Sequence, residues 1–311
     1  MNRRELLAAV ESAGYPVLTG SETPTSPARF ADGSRYRVEI PSCDGPKVMR
    51  AVLDTAAELD VPVHRISQGS GVMMLSDTEI GEMVAMGADN GVEVNLFIGP
   101  RGAWDTGAQA KVTTAVGGAA RGNENLAATL AEAHRAVRLG VRSLLVGDLG
   151  GLALLGAEKR AGRLPEDLVL KTSVLMPLTN AATGKVYEDL GATSLNVSTD
   201  LTIAHLAELR AATTKPLDMY VEVPDDQGGA VRFYEVPELV RVAAPVYVKV
   251  GLRNAPNIYP VGKHIETTAM NLGIERVRRT GLVLRLLAEL EPELAAAVGS
   301  HDSPDLALPV R

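Results

Sequence analysis

Cysteine is almost absent: the 311-residue chain holds one, Cys43. A single thiol excludes an internal disulfide and leaves no set of cysteines to hold a zinc ion or an iron–sulfur cluster within one chain. Aromatic residues are 4% of the chain, with one tryptophan, so the core must be built from Ala, Val and Leu. An excess of basic residues is missing too. A net charge of −7 and a pI near 5.4 offer no basic stripe that could displace counterions from nucleic acid. No run approaches the ~18 apolar residues of a membrane span, and MNRRELLAAVESAG is too polar for a signal peptide. The expectation is a soluble, cytoplasmic protein without nucleic-acid or membrane partners.

What is present is an ordinary globular composition, 46% apolar and 22% charged. The length suits two small domains or one α/β barrel of about 250 residues. Residues 3–14 have a helical pattern closed by Gly14, and 18–35 form a Gly/Ser/Pro/Thr-rich connector. Strand and helix patterns then alternate. Strands are expected at 36–41, 63–69, 92–98, 142–148, 168–176, 193–198, 217–223 and 245–251. Helices are expected at 46–60, from Ser76 or Asp77 to Gly91, and near 149–161, 178–190, 202–212, 235–243 and 265–290, with Pro46 suited to a first turn and Gly191 to a helix end. Eight strands alternating with helices point to a (β/α)8 TIM barrel over 36–290. An N-terminal cap or plug of 1–35 precedes it and a surface tail of 291–311 follows. A doubly wound sheet is the alternative. The gap between the third and fourth strands contains a long segment, 99–121, with Arg101, Trp104 and Asp105, which reads as a lid or binding loop.

The functional expectation rests on strand parity. In a barrel the apolar face of each strand meets the helices and the other face points inward. That rule places Glu39, Arg65, Ser67, Asn95, Lys171, Ser173, Asn196, Ser198, Tyr220, Glu222 and Lys249 inward. A lining with formal charges is expensive unless it serves a site or balances itself. Burial beside other cations lowers a lysine pKa, so Lys249 and Lys171 are base or Schiff-base candidates. Glu39 and Glu222 are candidates for an acid–base pair, and His264 for a further acid or base. Arg65, Arg101 and Arg253, with Asn254 beside them, suit a carboxylate or phosphate.

Glu39, Asp44, Asp148, Glu222 and Asp225 could hold Mg or Mn through oxygen ligands. The five histidines lack HxH or HExxH spacing, which speaks against a histidine zinc site. Cys43 sits where a nucleophile would, without an evident histidine partner; a buried structural thiol is the favoured reading. The turn 69–71 (GSG) could offer backbone N–H groups to an anion. Val283, Leu284 and Leu287 on the last helix could join two chains into a homo-oligomer.

Residues 140–158 (GVRSLLVGDLGGLALLGAE) and 168–210, with their GDLG strand end, T…N strand and helix, and LG before the next strand, resemble the peptidase U32 (collagenase-like) family. The likeness covers about the middle third of the chain. It implies a barrel. Members of that family act as peptidases, and others are radical or hydroxylating enzymes with cysteine-held iron–sulfur clusters. The family carries cysteines after the seventh strand. Residues 219–236 (MYVEVPDDQGGAVRFYEV) have none here, so the resemblance implies a divergent member with no iron–sulfur cluster. The leading expectation is an enzyme acting on a small anionic substrate by acid–base or carbon–carbon lyase chemistry, with a lyase or isomerase favoured over a hydrolase. A U32-like peptidase or amide hydrolase is the alternative. A barrel that binds a metabolite without catalysis is the reading from another class.

Overall fold

The computed structural model describes residues 2–12, 23–100 and 118–311. Most of the long segment after the third strand, with Arg101, Trp104 and Asp105, lies outside the described residues.

Eight parallel strands form one sheet: β1 (Tyr36–Pro41), β2 (Arg65–Gln68), β3 (Glu93–Ile98), β4 (Ser143–Val146), β5 (Val169–Thr172), β6 (Leu195–Asn196), β7 (Leu217–Glu222) and β8 (Val246–Val250). Neighbours in space are neighbours in sequence, and β1 pairs with β8. The ring is completed between β5 and β6 by a parallel bridge from Lys171 to Ser194. There the Thr172 N–H donates to the Ser194 carbonyl at 3.0 Å and the Thr193 N–H to that of Leu170 at 2.9 Å. Sequential order plus closure defines a (β/α)8 barrel and sets the doubly wound sheet aside.

The helices are α1 (Arg3–Ser12), α2 (Pro46–Glu58), α3 (Asp77–Asn90), α4 (Gly122–Arg138), α5 (Leu149–Arg160), α6 (Ala181–Leu190), α7 (Ile203–Ala212), α8 (Val236–Ala243), α9 (Glu266–Leu290) and α10 (Pro292–Ala295). Local chemistry sets their starts. Ser76 and Glu79 form a reciprocal capping box on α3, and Asp148 accepts the Gly151 N–H at the start of α5. Pro46 opens α2. At Gly156 in α5 an added Cβ would stand 1.9 Å from the Leu190 carbonyl, so only glycine lets α5 meet the end of α6. The helix α4 completes the third unit, where the sequence pattern marked only a long gap.

The apolar core lies between the strands and the helices: Val38, Ile40, Ile66, Val94, Leu96, Leu144, Leu170, Val246, Val248 and Val250 are buried there. Val283 and Leu287, expected on an exposed helix face, are 1% exposed and belong to this same core, with Leu284 packed against it. The oligomer contact expected from them has no such face to use.

The N-terminal end of the barrel is stoppered. Phe30 meets the Tyr247 ring edge-on at 5.4 Å, and the Arg37 guanidinium lies 3.9 Å over Phe30 while pairing with Asp32 and Asp305. Residues 23–35 and the chain after α10 therefore both cover that end, which leaves the opposite end for a site. Among the described residues no helix is long and apolar enough to cross a membrane.

Candidate active site

The barrel interior holds a balanced set of charges. Arg65, Lys171 and Lys249 face Glu39, Glu93 and Asp218, and each of the six is at most 2% exposed. Arg65 Nε is 2.7 Å from Glu93 Oε1, and its Nη1 is 2.7 Å from Asp218 Oδ1 and 3.2 Å from Glu39 Oε2. Its guanidinium carbon stands 3.6 Å above the Tyr247 ring. Lys171 pairs with Glu39, lies 3.2 Å from Asp218 and 3.4 Å from Ser67 Oγ. Ser143 and Ser194 donate to Glu93 and Asp218 at 2.6 and 2.7 Å. Lone buried charges would cost several kcal/mol each; here every one has hydrogen-bonded partners.

The electrostatics follow from these contacts. Burial works to raise the Glu39 pKa, but Lys171, Lys249 and Arg65 hold it well below the usual carboxylate range. Burial opposes the charge on Arg65, and Glu93, Tyr247, Asp218 and Glu39 override it. Lys171 is lowered, first by burial. The phenols of Tyr220, Tyr247 and Tyr259 are pushed up by burial.

Above this network, at the C-terminal ends of the strands, lies a chamber of about 60 Å³. Lys249, Ser67, Ser173, Asn196 and Tyr220 line it, with Pro41, Phe97, Leu145, Val174 and Leu175 as the apolar wall. Ser42, Gln68, Gly69 and Tyr259 complete one side, and Asp226 and Gln227 another. Lys249 Nζ is held 3.3 Å from Glu39 Oε1 and 4.1 Å from the Tyr220 ring centroid. With the Asn196 amide turned to satisfy both ends, its oxygen accepts from Lys249 Nζ at 3.2 Å and from the Val174 N–H at 3.1 Å. Tyr259 reaches from the loop after β8 to donate to Ser42 Oγ, and its ring packs on Gly69, where a Cβ would fall 2.5 Å from Cε1. Ser42, Leu252 and Asn254, at the ends of β1 and β8, have φ of 59°, 66° and 54°. Such conformations are costly without glycine and cluster at functional ends of folds.

Of the residues expected from sequence, Lys249, Ser67, Ser173, Asn196 and Tyr220 come together in this chamber, and Ser198 lines a wider one beside it. The others go elsewhere. Lys171, Arg65 and Glu39 lie beneath the chamber floor, bound to one another, so neither Lys171 nor Arg65 is presented to a ligand. Asn95 is buried, bonded to Ser67 and Ser143.

Glu222 does not point inward. The register of β7 against β8 slips between Tyr220 and Glu222, which puts Glu222 opposite Val250. Its carboxylate there accepts from Arg279 of α9 and from the Arg253 N–H at 2.7 Å. It cannot form a pair with Glu39. Arg253 lies 3.2 Å from Asp225, Asn254 gives its backbone N–H to the same carboxylate, and His264 is exposed outside the chamber wall. Arg101 lies outside the described residues.

The five carboxylates expected around a metal have separate employments: Glu39 in the interior, Asp44 on the Gly69 and Ser70 N–H groups, Asp148 on Gly151 and Ala120, Glu222 on Arg279, and Asp225 on Arg253. Among the described residues no three His, Cys, Asp or Glu side chains gather as a metal site. In the turn at 69–71 the Gly69 and Ser70 N–H groups do meet an anion, and that anion is Asp44 of the same chain, while the Gly71 N–H donates to Gln68 Oε1. Cys43 is fully buried and its pKa is pushed up by burial, as for a structural thiol.

Sequence reasoning missed Glu93, Asp218 and Ser194, although each shares parity with an inward residue two positions on, namely Asn95, Tyr220 and Asn196. Extending the alternation by one step finds them. Ser42, Gln227 and Tyr259 sit on loops, where alternation carries no signal.

No protein-family model and no curated protein sequence matches the chain. Solved structures that resemble it include the YdjI aldolase from Escherichia coli K12, at 15% identity and a TM-score of 0.48, covering 84% of this chain and 95% of that one. A lyase/mutase from Burkholderia cenocepacia J2315 is 16% identical with a TM-score of 0.41, covering 74% and 78%. The U32 peptidase Mk0906 is 16% identical with a TM-score of 0.41, covering 78% and 99%. Likeness at this level concerns barrel shape.

Proposed function

We propose that this barrel is an enzyme acting on a small carboxylate or oxo substrate by acid–base or carbon–carbon lyase chemistry, with Lys249 meeting the reacting oxygen. The observation that carries the reading is the placement of Lys249. It is the only lysine, arginine or histidine among the described residues of the chamber wall, and the chamber stands at the C-terminal end of the barrel. Glu39, Asn196 and the Tyr220 ring hold its Nζ in place, which suits the role of a fixed positive charge at the reacting oxygen.

In this reading Asp226, the carboxylate of the chamber wall, takes a proton from the carbon beside the substrate carbonyl. The electron pair of the broken C–H bond passes to the carbonyl oxygen, where the Lys249 N–H groups meet the negative charge. In the lyase direction Asp226 instead takes the proton of a hydroxyl on the second carbon from the carbonyl. That carbon becomes a carbonyl as its C–C bond breaks, and the pair of the broken bond passes to the substrate carbonyl oxygen at Lys249. Reprotonation of the carbon returns the proton to product. The reading is tested by proton NMR in deuterium oxide, following exchange beside the carbonyl of small 2-oxo acids such as pyruvate. Exchange that falls by about 10²–10³ in Lys249→Met fits the role. Exchange unchanged in that variant, or none with any oxo acid, ends the proposal. Borohydride trapping on Lys249 would replace the ammonium role with a Schiff base.

A further inference from the structure

Beside the chamber of Lys249 lies a second of about 400 Å³, and the two share Val174, Leu175, Asp226 and Gln227 as walls. A ligand headed at Lys249 therefore extends into the wider space. The first chamber has room for only a few water molecules, which fits a carboxyl or oxo group rather than a ring. The second is lined by Ser198, Thr199 and Asp200 as well, and the described part of its wall has no lysine, arginine or histidine. Gln227 Oε1 is buried and finds no hydrogen-bond partner among the described residues. A carboxamide oxygen left so is costly unless a ligand donor reaches it. The wall thus offers acceptors and negative charge.

Phosphate in α/β barrels is commonly held by the loops after the seventh and eighth strands. Here the protein's own Asp225 occupies that position. It takes the Arg253 guanidinium at 3.2 Å and the Asn254 N–H, the donors a phosphate would need. A phosphate would meet Asp200 and Asp226 besides.

We infer that the substrate is a hydroxylated carboxylic acid without phosphate, of the aldonic type. Its carboxyl end lies on Lys249 and its hydroxyl-bearing tail in the wider chamber, donating to Asp200 and Gln227. The inference rests on the reading of Lys249 given above and adds the nature of the tail.

Isothermal titration of the intact protein with gluconate, 6-phosphogluconate and sorbitol tests it. Gluconate binds, while 6-phosphogluconate and sorbitol bind about tenfold more weakly or worse, one lacking acceptance of its phosphate and the other the carboxyl head. Asp200→Asn, an exposed change checked by an unaltered melting temperature, weakens gluconate by about tenfold, the worth of one hydrogen bond to a charged group. Tighter binding of 6-phosphogluconate, an unaffected Asp200→Asn variant, or no gluconate binding at about 10 mM overturns the inference. The two proposals fail separately. Gluconate binding lost in Lys249→Met with no proton exchange anywhere keeps the ligand class and removes the reaction. Lys249-dependent exchange on pyruvate with no preference for gluconate does the reverse.

Discussion

Arg65 Nη1 stands 2.7 Å from Asp218 Oδ1, a contact between residues 153 positions apart that crosses the middle of the barrel. The same guanidinium binds Glu93 and Glu39, so one side chain neutralises carboxylates from three strands. Arg65→Met removes it and leaves two of the three buried cations against three anions. The expected loss is about 3–5 kcal/mol in denaturant unfolding. Adding Asp218→Asn to that variant restores part of it. A loss below about 1 kcal/mol would mean that the network is solvated like a surface ion pair.

The two inward lysines separate by position. Lys249→Met leaves Glu39 paired with Lys171 and Arg65, so the fold survives while exchange chemistry is lost. Lys171→Met acts in the opposite sense: it strips a fully buried cation from Glu39 and Asp218 and unfolds the protein at lower denaturant than Lys249→Met does. Paired unfolding curves and exchange rates check the contrast.

Glu222→Gln bears on the loops rather than the chemistry. It replaces a charge-assisted contact to Arg279 and the hold on the Arg253 N–H, for a stability loss of about 1–3 kcal/mol. Exchange activity should fall far less than in Lys249→Met. An equal fall would restore Glu222 to the reacting groups.

His64 gives the protein a pH dependence. Its Nδ1 accepts the Val38 N–H at 3.1 Å, so Nε2 carries the proton given to the Gly299 carbonyl at 2.8 Å. Burial first, then the stacked His301 and Arg37, lower its pKa from 6.5 to about 4, with the Gly299 bond and Asp32 opposing. Between these values the unfolded chain binds more protons than the folded one. The stabilisation is therefore complete above about pH 6.5 and is lost as pH falls toward 4, by roughly 3 kcal/mol. Stability measured from pH 7 to pH 4 should decline on this account, and His64→Gln should flatten that part of the curve.

Cys43 should resist a thiol reagent such as dithionitrobenzoate in the native protein and react on unfolding, because burial both hides the sulfur and disfavours its thiolate. Labelling in native buffer at the rate of a free thiol would contradict that placement.

Much of the architecture was legible along the chain. Alternating runs such as 36–41 and 246–250, separated by capped helices, state a barrel because strand and helix periods are local properties of the backbone. Parity also placed Lys249, Ser67, Ser173, Asn196 and Tyr220, since a regular strand turns every second side chain to one face. It failed at Glu222, where one extra residue in β7 reverses the face, a slip that depends on pairing with β8. It could not rank Lys171 against Lys249 either. Both point inward, and only their heights along the barrel axis decide which one meets the chamber.

Legible along the chain alone were the eight alternating strands, four of the six interior charges (Glu39, Arg65, Lys171 and Lys249) and the shortage of cysteine that bounds the chemistry. Tertiary structure alone decided which charges cancel. Arg65, Asp218, Glu93 and Glu39 come from four strands, and their neutralisation depends on distances of a few ångströms that no periodicity encodes. The same holds for the loops. Tyr259 and Ser42 are 217 positions apart in the chain yet share a hydrogen bond, and Asp44 fills the turn at 69–71 that a motif would leave for a ligand. Local pattern fixes which way a side chain faces. Closure of the barrel fixes what it faces.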